Sequence, residues 1–276
     1  MIESTWSPSK KKEFRRVLEK VAYSVASLGS RGRYPLWSTN PDRFVYIDLY
    51  AGDGGDPGGW GSPVIAIEVL NKVREQFRMN YDIHLYENNQ KGEYNAERLN
   101  TVLGKAKTNP PKGCTVSLYE VDNNEVVNLE LPENSWGLVY ADPYGGCGFV
   151  PLLSALSATK PYQNIDFLVD LNPASIKREN GRFATCEKCK LGGSLDECLG
   201  SINKKYVKVR EPDKGEAHSR WQWTMTFLSN NKSLFDNEWK KQRWHTMADS
   251  VERLKELAQT NGVSKLCRVS ATSKIS

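Results

Sequence analysis

Acidic residues close several apolar runs of this chain, and the residues just beyond each acid are of unusual types. Asp48 ends "FVYID" and leads into Leu-Tyr-Ala-Gly-Asp-Gly-Gly, so Tyr50, Gly52 and Gly54 stand in the exit. Glu87 ends "HLYE" with Asn88 after it, and Asp122 ends "YEVD" with Asn123 after it. An ionised carboxylate only accepts hydrogen bonds, and it can take several from hydroxyls or amides. Glycines let backbone approach a ligand closely and adopt positive φ. A further run, "LVYADPYGG" over 138–146, carries Asp142, Pro143 and Tyr144. An exocyclic amine conjugated to an aromatic ring is a poor nucleophile because its lone pair is delocalised. Asp142 and the Pro143 carbonyl can each accept a hydrogen bond from such an amine and draw its nitrogen towards tetrahedral geometry. Tyr144 offers a face on which a base taken out of its helix can stack. The plainer alternatives are an ordinary strand-to-helix turn at the glycines and a strand-end turn at Asp-Pro-Tyr.

These residues need strands that end on one edge, and the pattern supplies them. "FVYIDLY", "YDIHLYEN", "CTVSLYEVD", "SWGLVYADPYG" and "NIDFLVDLNP" read as strands. Between them "SPVIAIEVLNKVREQF", "QKGEYNAERLNTVLGKA" and "FVPLLSALSATK" read as helices. Such alternation predicts an α/β fold with a doubly wound parallel sheet, whose ligands bind beyond the carboxyl ends of the strands. Ahead of it, Phe14, Val17, Leu18, Val21 and Val25 mark one face of a helix whose opposite face is basic. After it, "RWQWTMTFLS" reads as a strand, "FDNEWKKQRWHTMADSVERLKELAQTNG" as one or two helices, and "SKLCRVSATSKI" as a last strand. The expected organisation is a basic helix and loop over 1–43, a cofactor-binding and catalytic core over 44–173, a basic insertion over 174–220, and a C-terminal strand and helices over 221–276.

The order D-L-Y-A-G-D-G-G is not the dinucleotide fingerprint, and no Gly-Lys-Ser/Thr succeeds it to make a phosphate loop. It resembles the first motif of class I S-adenosylmethionine-dependent methyltransferases. That resemblance implies a Rossmann-like methyltransferase sheet and S-adenosylmethionine as cofactor. Gly52 and Gly54 would wrap its methionine end, with Asp48 supporting the loop. Glu87 would accept from both ribose hydroxyls, and Asp122 would face the adenine amino group, with Tyr50, Asn88 and Asn123 beside them. Asp-Pro-Tyr-Gly resembles the amino-methyltransferase motif, which implies catalytic roles for Asp142, Pro143 and Tyr144. "GSPVIAI", the strand-two acid, "DNN" and "DPYG" together resemble the three-Cys-motif partner proteins over about residues 44–180.

Composition bounds the partners. The formal net charge of +5 is mild, but residues 1–43 hold nine Lys/Arg against four Asp/Glu. Residues 177–214 hold ten against six. Lys177, Arg178, Arg182, Lys188 and Lys190 of the insertion, with Lys204, Lys205, Lys208 and Arg210 beyond them, suit DNA or RNA phosphates; solvated surface is the bland alternative. Cys186 and Cys189 have C-x-x-C spacing and Cys198 comes after, three thiolates of a zinc site or incidental thiols in a loop. No apolar run reaches the roughly 18 residues of a membrane span, no secretory signal opens the chain, and reduced cysteines fit a cytoplasmic protein. The expected activity is methylation of a base amino group. A methyltransferase-like binding module of a phage or defence system, without transfer, is the alternative, and a small-molecule or protein substrate is a third.

Overall fold

A computed structural model of the chain describes residues 8–30, 43–56, 59–88, 95–105, 109–133, 135–143, 149–171, 201–210, 224–231 and 244–246. Helix α1 (Pro8–Ser30) precedes strand β1 (Arg43–Asp48). A short hairpin, β2 (Gly55–Asp56) and β3 (Gly59–Trp60), leads into α2 (Ser62–Phe77). Then come β4 (Asn80–Tyr86), α3 (Asn95–Lys105), β5 (Thr115–Tyr119), β6 (Trp136–Ala141), α4 (Phe149–Ser157) and β7 (Ile165–Leu171). Strands β8 (Tyr206–Arg210), β9 (Thr224–Ser229) and β10 (Trp244–Thr246) complete the described elements.

Eight strands form one sheet in the order β10-β8-β9-β7-β6-β1-β4-β5. The run β5-β4-β1-β6-β7 is parallel throughout, the first five positions of a doubly wound order. Strand β9 is antiparallel to both β7 and β8, so it is wedged between strands that share a direction. The sheet is wound from β1 in opposite directions, through β4 and β5 on one side and then from β6 to β7 on the other. Crossover helices must therefore lie on opposite faces. They do: α2 and α3 bury Val69, Leu70, Val73 and Leu99 with Tyr81, Ile83 and Leu85, whereas α4 buries Phe149, Leu153 and Leu156 with Val45, Val139 and Phe167.

That winding leaves one face uncovered at β6, β7 and β9, because their crossover helix sits on the other side. Helix α1 fills the place. Phe14, Val17, Leu18, Val21 and Val25 recur at helical spacing and are buried with Tyr140, Leu168, Met225, Phe227 and Trp244. Phe14 lies with its ring centroid 4.6 Å from Tyr140 and 6.3 Å from Tyr46. So α1 is part of the core.

Two further differences from expectation concern the last third of the chain. Tyr206–Arg210, inside the stretch expected to be an insertion, is a sheet strand. Trp244–Thr246, expected within a helix, pairs antiparallel with β8. There tertiary contact overrides helical pattern: Trp244 is buried and its indole Nε1 donates to Glu13 at 2.7 Å. The expected strand over 264–275 and the rest of the C-terminal helices lie outside the described residues. No described helix is long and apolar enough to cross a membrane.

Candidate functional site

The winding reverses between β1 and β6, where such sheets bind ligands in the crevice beyond the carboxyl ends, and the strand-end acids and the glycine loop stand on this edge. Asp48 ends β1, fully buried. Its Oδ2 accepts from the Tyr46 hydroxyl at 2.9 Å and its Oδ1 from the Tyr50 amide at 3.3 Å, and Ser62 donates to the same carboxylate. Burial outweighs these bonds and pushes the Asp48 carboxyl up to about 7. The residue thus ties β1, the glycine loop and the first turn of α2 together.

In the loop, Gly52 and Gly54 have φ of +64° and +68°, a region that suits glycine. Their surroundings differ. A Cβ on Gly52 would meet nothing within 4 Å, whereas one on Gly54 would lie 2.5 Å from Leu99 Cδ1. Gly52 borders the crevice, and Gly54 is bare so that α3 can pack. Glu87, one residue past β4, accepts from the Gly52 amide at 2.7 Å through Oε2 and from Asn95 Nδ2 at 3.2 Å through Oε1. A carboxylate oxygen can accept more than one such bond. Past β5, Asp122 caps a short 3-10 turn (Asn123–Asn128), its Oδ1 accepting from the Asn124 amide at 2.8 Å. The Tyr50 hydroxyl is hydrogen-bonded to Asn123, and burial raises its pKa. Asn88 is exposed beyond Glu87. Asp48, Tyr50, Gly52, Glu87, Asp122 and Asn123 therefore line one continuous edge.

The site residues include two that sequence reasoning passed over. Asp142, just beyond β6, receives Lys10 Nζ on its Oδ2 at 2.7 Å. Lys10 also pairs with Oδ2 of Asp170, near the end of β7. Strand register accounts for the two acids: Ala141 is paired with Val169, so the residues after them stand side by side. Burial raises the Asp170 carboxyl; the Lys10 ammonium opposes that rise and neighbouring Asp142 adds to it. Burial opposes the Lys10 charge, yet its two carboxylates prevail and hold it firmly protonated. A signal existed for both. Lys10 is four residues before Phe14 and seven before Val17, on the apolar face of α1, and Asp170 interrupts the apolar run "FLVDL".

Pro143 comes directly after Asp142 and is half-buried. Tyr144 lies outside the described residues. So do Lys177, Arg178, Arg182, Lys188 and Lys190, together with Cys186, Cys189 and Cys198. Among the described residues no group of three or more His, Cys, Asp or Glu side chains could hold a metal ion. Part of the basic excess is internal. Lys204 donates to the carbonyls of Tyr162 at 2.7 Å and Ile165 at 2.6 Å, and Arg210 pairs with Glu13 at 3.1 Å. Neither buried cation is available to a phosphate, contrary to the expectation for that run.

No protein-family model and no curated protein matches the chain. Solved structures match at a distance. The METTL16 MTase domain matches over 76% of this chain and 66% of its own length, with 10% identity and a TM-score of 0.40. The chain thus spans slightly under two thirds of that structure. Atu636 of Agrobacterium tumefaciens, described as an O-methyltransferase, matches over 76% of this chain and 81% of its own, with 15% identity and a TM-score of 0.37. The protein yhhF of Escherichia coli, described as a methyltransferase, matches over 83% and 90%, with 14% identity and a TM-score of 0.37. The doubly wound order of the sheet is Rossmann-like.

Proposed function

We propose that this chain is an S-adenosylmethionine-dependent methyltransferase acting on an exocyclic amino group of a base in DNA or RNA. The observation that carries the reading is one of placement. The Asp142 carboxylate stands across the switch point from a glycine loop that Glu87 holds open by accepting from Gly52.

The residues fit the cofactor. The space at Gly52 and the accepting capacity of Glu87 suit the methionine end and a ribose diol. Asp122 and Asn123 suit a base edge. S-adenosylmethionine, when bound, supplies a sulfonium methyl. The chain's own residues do the rest. Asp142 and the Pro143 carbonyl accept from the amine and turn its lone pair, and the Asp142 charge stabilises positive charge developing on nitrogen. Adding a methyl to the neutral amine makes a cationic arylammonium, a strong acid, so after transfer its proton can pass to water and no strong base is needed. Tyr144 would stack on the base, and Lys177, Arg178, Arg182, Lys188 and Lys190 would meet phosphates. The Asp-Pro-Tyr sequence supports an amino group over a hydroxyl or a protein side chain.

One observation favours the binding-module reading: Lys10 already engages Asp142. The experiment that separates the two is tritiated-methyl transfer to total DNA, tRNA and rRNA, with cofactor binding followed by calorimetry. Transfer to one polymer supports the enzyme. Cofactor binding with no transfer to any of them supports the module or a small-molecule substrate, and absence of cofactor binding removes the enzyme.

A further inference from the structure

Lys10 is remote in sequence from every strand end that frames the crevice, yet it occupies the centre of the transfer side. Its side chain is 10% exposed, between Asp142 at 20% and Asp170 at 7%. Two carboxylates side by side in a poorly solvated place repel each other, and one would take up a proton. A single cation between them opposes that uptake, although burial still leaves the Asp170 carboxyl raised to about 8. The cation also breaks their symmetry. Asp170 is the more deeply enclosed of the two, so the accessible part of the pair belongs to Asp142.

We propose that Lys10 is a positioning residue of the transfer reaction: its ammonium holds Asp142 by Oδ2 and thereby presents the other oxygen, Oδ1, to the substrate amine. The inference rests on the methyltransferase reading above. The hold matters because an unanchored carboxylate would rotate about its terminal bond and spend its charge on water. A fixed oxygen contributes without reorganising at the moment of reaction. The arrangement also explains a choice of residue. Lys10 is a compact point charge with three donors and can reach two acids at once. The helix that carries it is locked by Phe14 against Tyr140 and by Glu13 against Trp244 and Arg210. Lys10 therefore has a rigid base.

Among the described residues, the other groups shown to act on the pair are acidic or neutral. Asp48 and Tyr46 of β1 and Tyr140 of β6 act on it electrostatically, and Lys10 is the cation in direct contact. Replacing it by methionine keeps most of the unbranched side chain, one atom shorter, and removes the charge. In Lys10→Met the Asp170 carboxyl, freed from the ammonium that opposes its rise, should titrate at higher pH than in the parent. Carboxyl 13C resonances of labelled aspartate, followed against pH, report this without any turnover. Turnover should fall by at least about tenfold, less than for losing a preorganised contact made directly to the reacting group. Cofactor affinity should stay within about threefold, since the ribose acid and glycine loop are untouched, and Lys10→Arg should recover part of the rate.

Lys10→Met can fail to fold, because it leaves two acids facing each other. The double variant Lys10→Met with Asp170→Asn removes that repulsion and serves in its place. It should fold and remain slow. Full turnover in either folded variant overturns the proposal, as does an Asp170 midpoint that ignores Lys10. If the parent methylates nothing while the Asp170 midpoint still responds to Lys10, the functional reading falls and takes the positioning role with it. An active parent whose Lys10 variants keep both rate and midpoint removes the positioning role alone.

Discussion

The two sides of the crevice handle negative charge differently. On the β4 side Glu87 is half-buried and accepts from a backbone amide and from the Asn95 side chain. On the β6 side Asp142 is held by a buried ammonium that serves a second acid as well. Neutral donors leave a carboxylate its full charge, which suits a diol. A cation fixes orientation and offsets burial, which suits a group that must be aimed. One edge of a sheet can thus offer binding on one side and aim on the other, with carboxylates in both roles.

Breaking the aim should do the most damage. Asp142→Ala should lower methyl transfer by about a hundredfold or more, by analogy with losing one preorganised transition-state contact. Cofactor affinity measured alongside should hold. Full activity in the variant would remove the amino-methylation reading. Binding comes next. Glu87→Ala should weaken S-adenosylmethionine by about thirtyfold, roughly 2 kcal/mol for lost charge-assisted hydrogen bonds. Part of that loss would come through Gly52, whose amide loses its acceptor; calorimetry that finds unchanged affinity takes Glu87 out of the ribose role.

The same loop separates packing from ligand contact. Gly54→Ala should cost about 1–3 kcal/mol of stability, because it combines positive φ with a clash against buried Leu99. Denaturant melts measure it, and an Ala variant as stable as the parent would show that α3 can yield. The mildest change, per pH unit, belongs to Asp48. Its carboxyl is raised in the fold from 3.8 to about 7, so the folded state holds a proton that the unfolded chain releases. That contribution is complete below about pH 4 and is lost as pH rises through about 7. Asp48→Asn should therefore flatten the decline of stability over that range by about 1 kcal/mol per pH unit. Identical slopes in parent and variant would mean that Asp48 is ionised in the fold.

Much of this architecture is legible in the sequence. The alternation of apolar runs identifies the five parallel strands and places α2 at its observed ends, Ser62 and Phe77. Local chemistry also marks Asp48, Gly52, Glu87 and Asp122, because a polar residue closing an apolar run carries its own signal. Three things escape. Strand β8, "YVKVR", alternates apolar with basic residues and reads as phosphate-binding charge; in the fold both faces are covered at its end, Val209 by the core and Arg210 by Glu13 of α1. Trp244 sits in a stretch of helical composition and becomes strand only because β8 and Glu13 await it. The link of Lys10 to Asp142 spans 132 positions, and no local pattern encodes a partner at that distance. Its position on the apolar face of α1 is the available clue.

The bond between Glu13 and Trp244 joins residues 231 positions apart. Arg16 of the same helix already pairs with Glu13, but Arg210 and Trp244 reach it only once β8 and β10 are in place. Burying the acid before then, with two of its partners missing, is unfavourable. The helix that delivers Lys10 is therefore expected to dock late, with Asp142 gaining its ammonium only after most of the sheet has formed. Chains truncated before β10 should hold the glycine loop without the Lys10–Asp142 pair.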